Sequence, residues 1–185
     1  MTLAPPLDTA EHLRLLHRLG LDAATPEHDA HAAELRHKAC QIDPASAHRL
    51  TALINIFLPD GRQHFIGMSQ PEDTQEPLER TMQPGWGFCS TFLTRQLALV
   101  LADVRDMPRS ASNPVVARLG ILTYSGAPLI YRPDHTGHGL VLGAVCYVGP
   151  APMDATTRQE SLTVIKAFRD QVMTRAYTHA ARATP

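Results

Sequence analysis

Lysine is almost absent: Lys38 and Lys166 are the only two among 17 basic residues. With 18 acidic residues the formal charge is −1, so there is no broad basic field to hold a nucleic-acid backbone. Aromatic residues make up 5% of the chain, and tryptophan occurs once, at Trp86. Cysteine is scarce, odd in number (Cys40, Cys89, Cys146) and without a Cys-x-x-Cys spacing, which argues against a disulfide framework or a zinc ribbon. No apolar stretch reaches the roughly 20 residues of a membrane span. Residues 1–8 have neither the basic start nor the apolar run of a secretory signal. These absences imply a cytoplasmic protein with reduced thiols, with neither nucleic acid nor membrane as a partner.

Apolar residues supply 44% of the 185 positions and charged residues 19%, enough to build a packed core without staples. Periodicity divides the chain into elements. Leu13, Leu15, Leu16, Leu19 and Leu21 predict a short amphipathic helix from Asp8. Thr25-Pro26-Glu27 reads as an N-cap with proline at the first helical position, opening a helix to about Cys40. Leu50–Leu58 and His64–Met68 form a hairpin around the turn Pro59-Asp60-Gly61-Arg62. One helical turn is expected around Pro77–Met82, a short helix over Phe88–Gln96, a strand over Leu97–Ala102 and a short helix over Val115–Arg118. Strands follow at Ile121–Tyr124 and Pro128–Arg132, kinked at Gly126-Ala127-Pro128. Leu140–Val148 is the most hydrophobic strand and the candidate sheet centre. A final helix after Pro152 carries the stripe Leu162, Ile165, Phe168, Val172 and Ala176 and runs to about Ala180. The order predicts an α+β fold with an antiparallel sheet.

Several segments taken in register carry a resemblance. Phe88-Cys89-Ser90, Leu99-Val100-Leu101-Ala102-Asp103-Val104-Arg105 with Pro108, Asn113-Pro114-Val115-Val116, Gly126-Ala127-Pro128-Leu129 and Gly143-Ala144-Val145-Cys146 resemble one bacterial subfamily of GAF domains. The resemblance implies a central antiparallel sheet of five to six strands flanked by helices, with long N- and C-terminal helices packed together. Residues 1–43 would be a helical extension, 44–152 the core and 153–185 a helix completing the same domain. Two positions depart from the subfamily: its aromatic before the Asn-Pro pair is replaced around Ser110-Ala111, and its strand-closing aspartate is Gly149.

The resemblance further implies a non-catalytic sensory or regulatory domain, signalling through its terminal helices to a protein partner. A small-molecule ligand would lie between the sheet and the 86–116 region, touched by some of Trp86, Phe88, Asp103, Asn113 and Tyr124. The apolar stripes at Leu13–Leu21 and Leu162–Ala176 suit a homodimer paired across a two-fold axis. An interaction module with a self-filled pocket is the alternative. Known ligand classes of the family find little to hold them, and no cofactor is expected. The Asn-Lys-Phe-Asp-Glu set of the cyclic-nucleotide branch is absent, and Cys89 is followed by Ser90 rather than the histidine usual beside a bilin thiol. Gly87-Phe88-Cys89-Ser90 echoes the methionine sulfoxide reductase branch. The loop 106–114 has no cysteine, however, so Cys40 would have to fold back as resolving thiol. Cys89 and Cys146 otherwise read as small buried hydrophobes. His64 would serve haem only if it faced an apolar cavity. His28 and His31, with Glu27, Asp29 and Glu34 adjacent, are the candidate metal pair, and Asp134, His135 and His138 a weaker one in a hairpin loop. No Ser-His-Asp order, phosphate loop or paired carboxylate stands out.

Overall fold

Local chemistry sets the helix starts. In the computed structural model, which describes residues 8–74, 77–132 and 139–183, the Asp8 carboxylate accepts from Glu11 N–H at 2.9 Å and opens α1 (Thr9–Arg18). The Thr25 hydroxyl accepts from His28 N–H at 3.1 Å and opens α2 (Pro26–Ile42). The hairpin follows as β1 (Thr51–Phe57) and β2 (Gln63–Ser69), with Gly61 at φ 83 supplying the left-handed turn residue. Then come β3 (Thr81–Met82), a 3₁₀ turn (Cys89–Leu93), β4 (Leu99–Leu101), a second 3₁₀ turn (Val104–Asp106), α3 (Pro108–Ala111) and α4 (Pro114–Leu119). The chain closes with β5 (Thr123–Tyr131), β6 (Leu140–Gly149) and α5 (Ala155–Ala183).

The six strands form one sheet in the order β3-β2-β1-β6-β5-β4, and every pairing is antiparallel. β6 lies at the centre, as its hydrophobicity predicts. Three expectations are corrected. Residues Thr81 and Met82 are extended rather than helical, because they pair with Gln63 and His64 of β2. No kink divides β5, which runs unbroken through Pro128. The pairing with β4 reaches only to Gly126, opposite its first residue Leu99, so on that side the proline's missing N–H interrupts no ladder bond. The short helix expected over Phe88–Gln96 tightens to a five-residue 3₁₀ turn.

Each face of the sheet has its own core. On one, Ile54, Ile56, Ile66, Leu129, Val145 and Tyr147 pack against Leu15 and Leu16 of α1, Leu35 of α2 and Ile165, Phe168 and Val172 of α5. Most of the apolar stripe of each terminal helix therefore packs on the chain's own sheet, with Phe168 1% exposed, while Leu13 is left 45% exposed. α5 spans about 43 Å at 1.5 Å per residue, and near its far end His179 sits against Gly20, just past α1. On the other face, Leu53, Phe65, Tyr124, Cys146 and Val148 pack against Phe88, Cys89, Phe92, Val104, Val115 and Ile121.

α2 comes so close to β2 that a Cβ on Gly67 would lie 2.5 Å from the His28 carbonyl oxygen. Asp29 fixes this approach by accepting from Met68 N–H at 2.9 Å and from both Arg80 nitrogens at 3.1 and 2.6 Å. Partial burial raises the Asp29 pKa, but the Arg80 and Met68 hydrogen bonds outweigh it and hold the carboxyl below its ordinary value. Because the folded-state value is the lower one, this stabilisation is present above the unfolded value near about 3.9 and fades as pH falls through the folded value. Both side chains are 36% exposed, so the ion pair contributes about 1 kcal/mol or less. Asp29→Asn is expected to lower the urea midpoint modestly at pH 7. It should also flatten the fall in stability below about pH 4, which an unchanged acid limb would contradict.

Candidate functional site: an apolar chamber beside a polar cleft

Asn113 caps α4 by accepting from Val115 N–H at 3.3 Å, and the same side chain clamps the backbone of Gly87. Its Oδ1 accepts from Gly87 N–H at 3.0 Å and its Nδ2 donates to Gly87 O at 2.9 Å. Gly85 and Gly87 take φ values of 77 and 73, a left-handed backbone that ordinary side chains resist. This clamp sets residues 86–89 as a roof over the sheet. Phe88 stacks on Tyr124 with ring centroids 5.1 Å apart and planes tilted by 56°.

Under the roof is a chamber of about 30 Å³, lined by Phe88, Tyr124, Cys89, Cys146, Leu53 and Phe65 among others. That volume suits a guest of about one or two non-hydrogen atoms. Cys89 Sγ is 3.2 Å from Tyr124 Oη and 3.6 Å from Cys146 Sγ, and all three residues are buried. Hydrogen bonding with Cys146, assisted by Tyr124, outweighs burial and lowers the Cys89 pKa. The same contact, with burial, pushes Cys146 well above its ordinary value, and burial raises Tyr124 as well.

A polar relay crosses the chamber's edge. Asn55 Oδ1 accepts from Ala144 N–H, Asn55 Nδ2 donates to Gln63 Oε1, and Gln63 Nε2 donates to Trp86 O, each at 2.7 Å. Neither Asn55 nor Gln63 is a candidate by sequence reasoning. The available signal was Asn55 itself, the one polar residue within Leu53-Ile54-Asn55-Ile56-Phe57.

Beside the chamber, and sharing Leu78, Leu119, Ile121 and Val148 with it, is a cleft of about 480 Å³. Its polar lining is Arg49, Arg118, Thr51, Gln70, Asp73 and Thr74. Arg49 and Arg118 enter none of the ion pairs among the described residues. The Arg118 guanidinium instead lies 5.5 Å from the centre of the half-buried Trp86 ring. Gly149, where the subfamily has aspartate, closes the far wall. A Cβ there would meet Ser46 Oγ at 2.6 Å and Thr123 Oγ1 at 2.9 Å, so no larger residue fits without displacing both.

Of the five candidate ligand residues, Phe88 and Tyr124 share the chamber, and none lines the cleft. Trp86 packs at the rim. Asn113 spends its amide on Gly87 and the α4 cap. Asp103 lines neither space: it accepts from Arg105 N–H at 2.9 Å and binds the Arg105 guanidinium, whose hydrogen bonds lower its pKa to about 2. Cys40 is on α2, across the sheet from Cys89, and donates to Ala47 O at 3.5 Å; burial raises its pKa. The thiol beside Cys89 is Cys146 instead. His64 alternates away from Gln63 and Phe65, which line the chamber, and bonds through Nδ1 to Arg80 O at 3.0 Å. His28 bonds Ala23 O at 3.1 Å, and Asp29 is taken by Arg80. Among the described residues no three His, Cys, Asp or Glu side chains gather as a metal site, and no helix is long and apolar enough to cross a membrane. Residues 134–138, with the second histidine pair, lie outside the described residues.

A six-stranded antiparallel sheet with the long helices on one face and a capped chamber on the other defines an α+β domain. The sequence matches no protein-family model and no curated protein. Solved structures match over nearly the whole chain. The GAF domain of an Acinetobacter phosphoenolpyruvate-protein phosphotransferase is similar at 12% identity and TM-score 0.55, covering 98% of this chain and 100% of that one. The phycocyanobilin-bound GAF domain of a cyanobacterial phytochrome is similar at 14% and 0.56, with the same coverage. Free methionine-R-sulfoxide reductase of Neisseria meningitidis, solved with its substrate, is similar at 13% and 0.53, covering 100% and 98%. At these identities the likeness concerns the fold, and the chain has the GAF fold. That fold serves a phytochrome and a reductase alike, so function must be argued from the site.

Proposed function

We infer that the protein is a non-catalytic sensory domain that takes up a small molecule in the polar cleft and signals through its terminal helices to a protein partner. The cleft carries this reading. Its volume of about 480 Å³ falls within the roughly 300–1,000 Å³ of small-molecule sites, whereas the chamber under Phe88, at about 30 Å³, is far below it. Arg49 and Arg118 suit an anionic group on the ligand, with Leu78, Leu119 and Ile121 for its apolar part. Occupancy at Arg118 would be felt at Trp86, and through Trp86 O and Gln63 at β1 and β6. Pairing of two copies belongs to the same reading, through outward faces of the terminal helices, where Leu13 is 45% exposed.

Native mass spectrometry of freshly purified protein, with a denatured control, tests both parts. A mass increment lost on denaturation is expected, and it should disappear in Thr74→Trp, which fills the cleft. An increment that survives Thr74→Trp would place the ligand elsewhere. The same spectrum reads the assembly. The near-filled chamber favours a second reading, an interaction module without a small-molecule ligand; a dimer with no increment would support that one.

A further inference from the structure

The two buried thiols are unused by the reading above. Cys89 and Cys146 are 57 residues apart in sequence, yet their sulfurs approach to 3.6 Å. Both line the 30 Å³ chamber, and that chamber shares four wall residues with the cleft. A molecule the size of water or hydrogen peroxide has room beside both sulfurs. We propose that Cys89 and Cys146 are a redox-active dithiol that closes to an intramolecular disulfide when a small hydroperoxide enters the chamber.

The chemistry balances in two steps. The Cys89 sulfur, as thiolate, attacks one peroxide oxygen; a sulfur–oxygen bond forms and the oxygen–oxygen bond breaks. The departing hydroxide takes up the proton that Cys89 released and leaves as water. The Cys146 sulfur then attacks the Cys89 sulfenic sulfur, forming the sulfur–sulfur bond and breaking the sulfur–oxygen bond. The second hydroxide leaves with the Cys146 proton. Two thiols are oxidised by two electrons in all, and one hydrogen peroxide is reduced to two waters. Cys89 acts first because Tyr124 Oη, 3.2 Å away, can donate to its thiolate and because it sits on the 3₁₀ turn rather than on the central strand β6. Cys40 takes no part, being on the opposite face of the sheet.

Closure must shorten the sulfur separation from 3.6 Å to about 2.05 Å. β6 is held on both sides by β1 and β5, so the displacement falls on the 3₁₀ turn that carries Cys89. That turn follows the left-handed glycines Gly85 and Gly87 and the ring of Trp86. Oxidation is therefore expected to change the environment of the only tryptophan.

The wild-type protein supplies the test. Reduced protein is treated with hydrogen peroxide, quenched with catalase, unfolded in guanidinium with N-ethylmaleimide and weighed intact. Maleimide labels are expected to fall from three to one, the remaining label on Cys40, with dithiothreitol restoring all three. A digest should contain the Cys89–Cys146 linked peptide, and Trp86 emission should shift reversibly. Retention of three labels, linkage through Cys40, or oxygen addition without linkage would overturn the proposal. So would a link that forms no faster in the native protein than in the guanidinium-unfolded chain. Cys40→Ser should behave as wild type, whereas Cys89→Ser should form no intramolecular link.

Discussion

Phe168→Ala should lower the stability of the fold by about 3–5 kcal/mol, read as a drop in the urea midpoint. The side chain is 1% exposed and sits between α5 and the sheet, so truncation leaves a cavity that the rigid strands beneath cannot close. For a domain whose whole stability is of order 5–15 kcal/mol, that loss is a large share. The outcome also separates two roles for the same helix stripe. A residue at a dimer interface would, when truncated, dissociate the dimer and leave the monomer's unfolding transition in place. A residue in the domain core moves the transition itself, and an unmoved midpoint would return Phe168 to the interface.

Asn55→Ala should cost about 2–4 kcal/mol, because it orphans two buried partners at once. Ala144 N–H loses its acceptor and Gln63 Oε1 loses its donor, both in a buried setting. The effect should reach Trp86, whose carbonyl depends on Gln63 for a hydrogen bond at 2.7 Å. A red-shifted emission at zero denaturant is the expected sign of a loosened roof. Combining Asn55→Ala with Gln63→Ala should cost less than the sum of the two single changes, since both dismantle one network. Additive costs would mean that the relay is three independent bonds.

What could be read from the sequence is what neighbouring residues decide together. The cap at Thr25, the turn around Gly61 and the central place of Leu140–Val148 each depend on a few adjacent side chains, and each appears in the structure. β3 could not be read, because two residues, Thr81 and Met82, become a strand only when β2 is beside them. Asn113 shows the same limit at the site. Its cap on α4 is a local contact, but its grip on Gly87, 26 residues earlier, belongs to the tertiary fold. The meeting of Cys89 with Cys146, and the relay from Ala144 to Trp86, likewise depend on the order of strands in the sheet.

The ends of the sheet bear on how the protein behaves at high concentration. An unpaired strand border is a template for fibrils, since another chain can add to its free N–H and C=O groups. Here the outermost strands are two and three residues long, so neither offers a run that an incoming strand could follow. Where β2 extends beyond β3, the fold plugs the gap with other parts of itself. Phe65 N–H donates to Arg80 O at 2.8 Å, and Met68 N–H donates to the Asp29 carboxylate reaching over from α2. The Asp29 contact that docks a helix thus also denies a docking row to a stranger, and Asp29→Lys would open it.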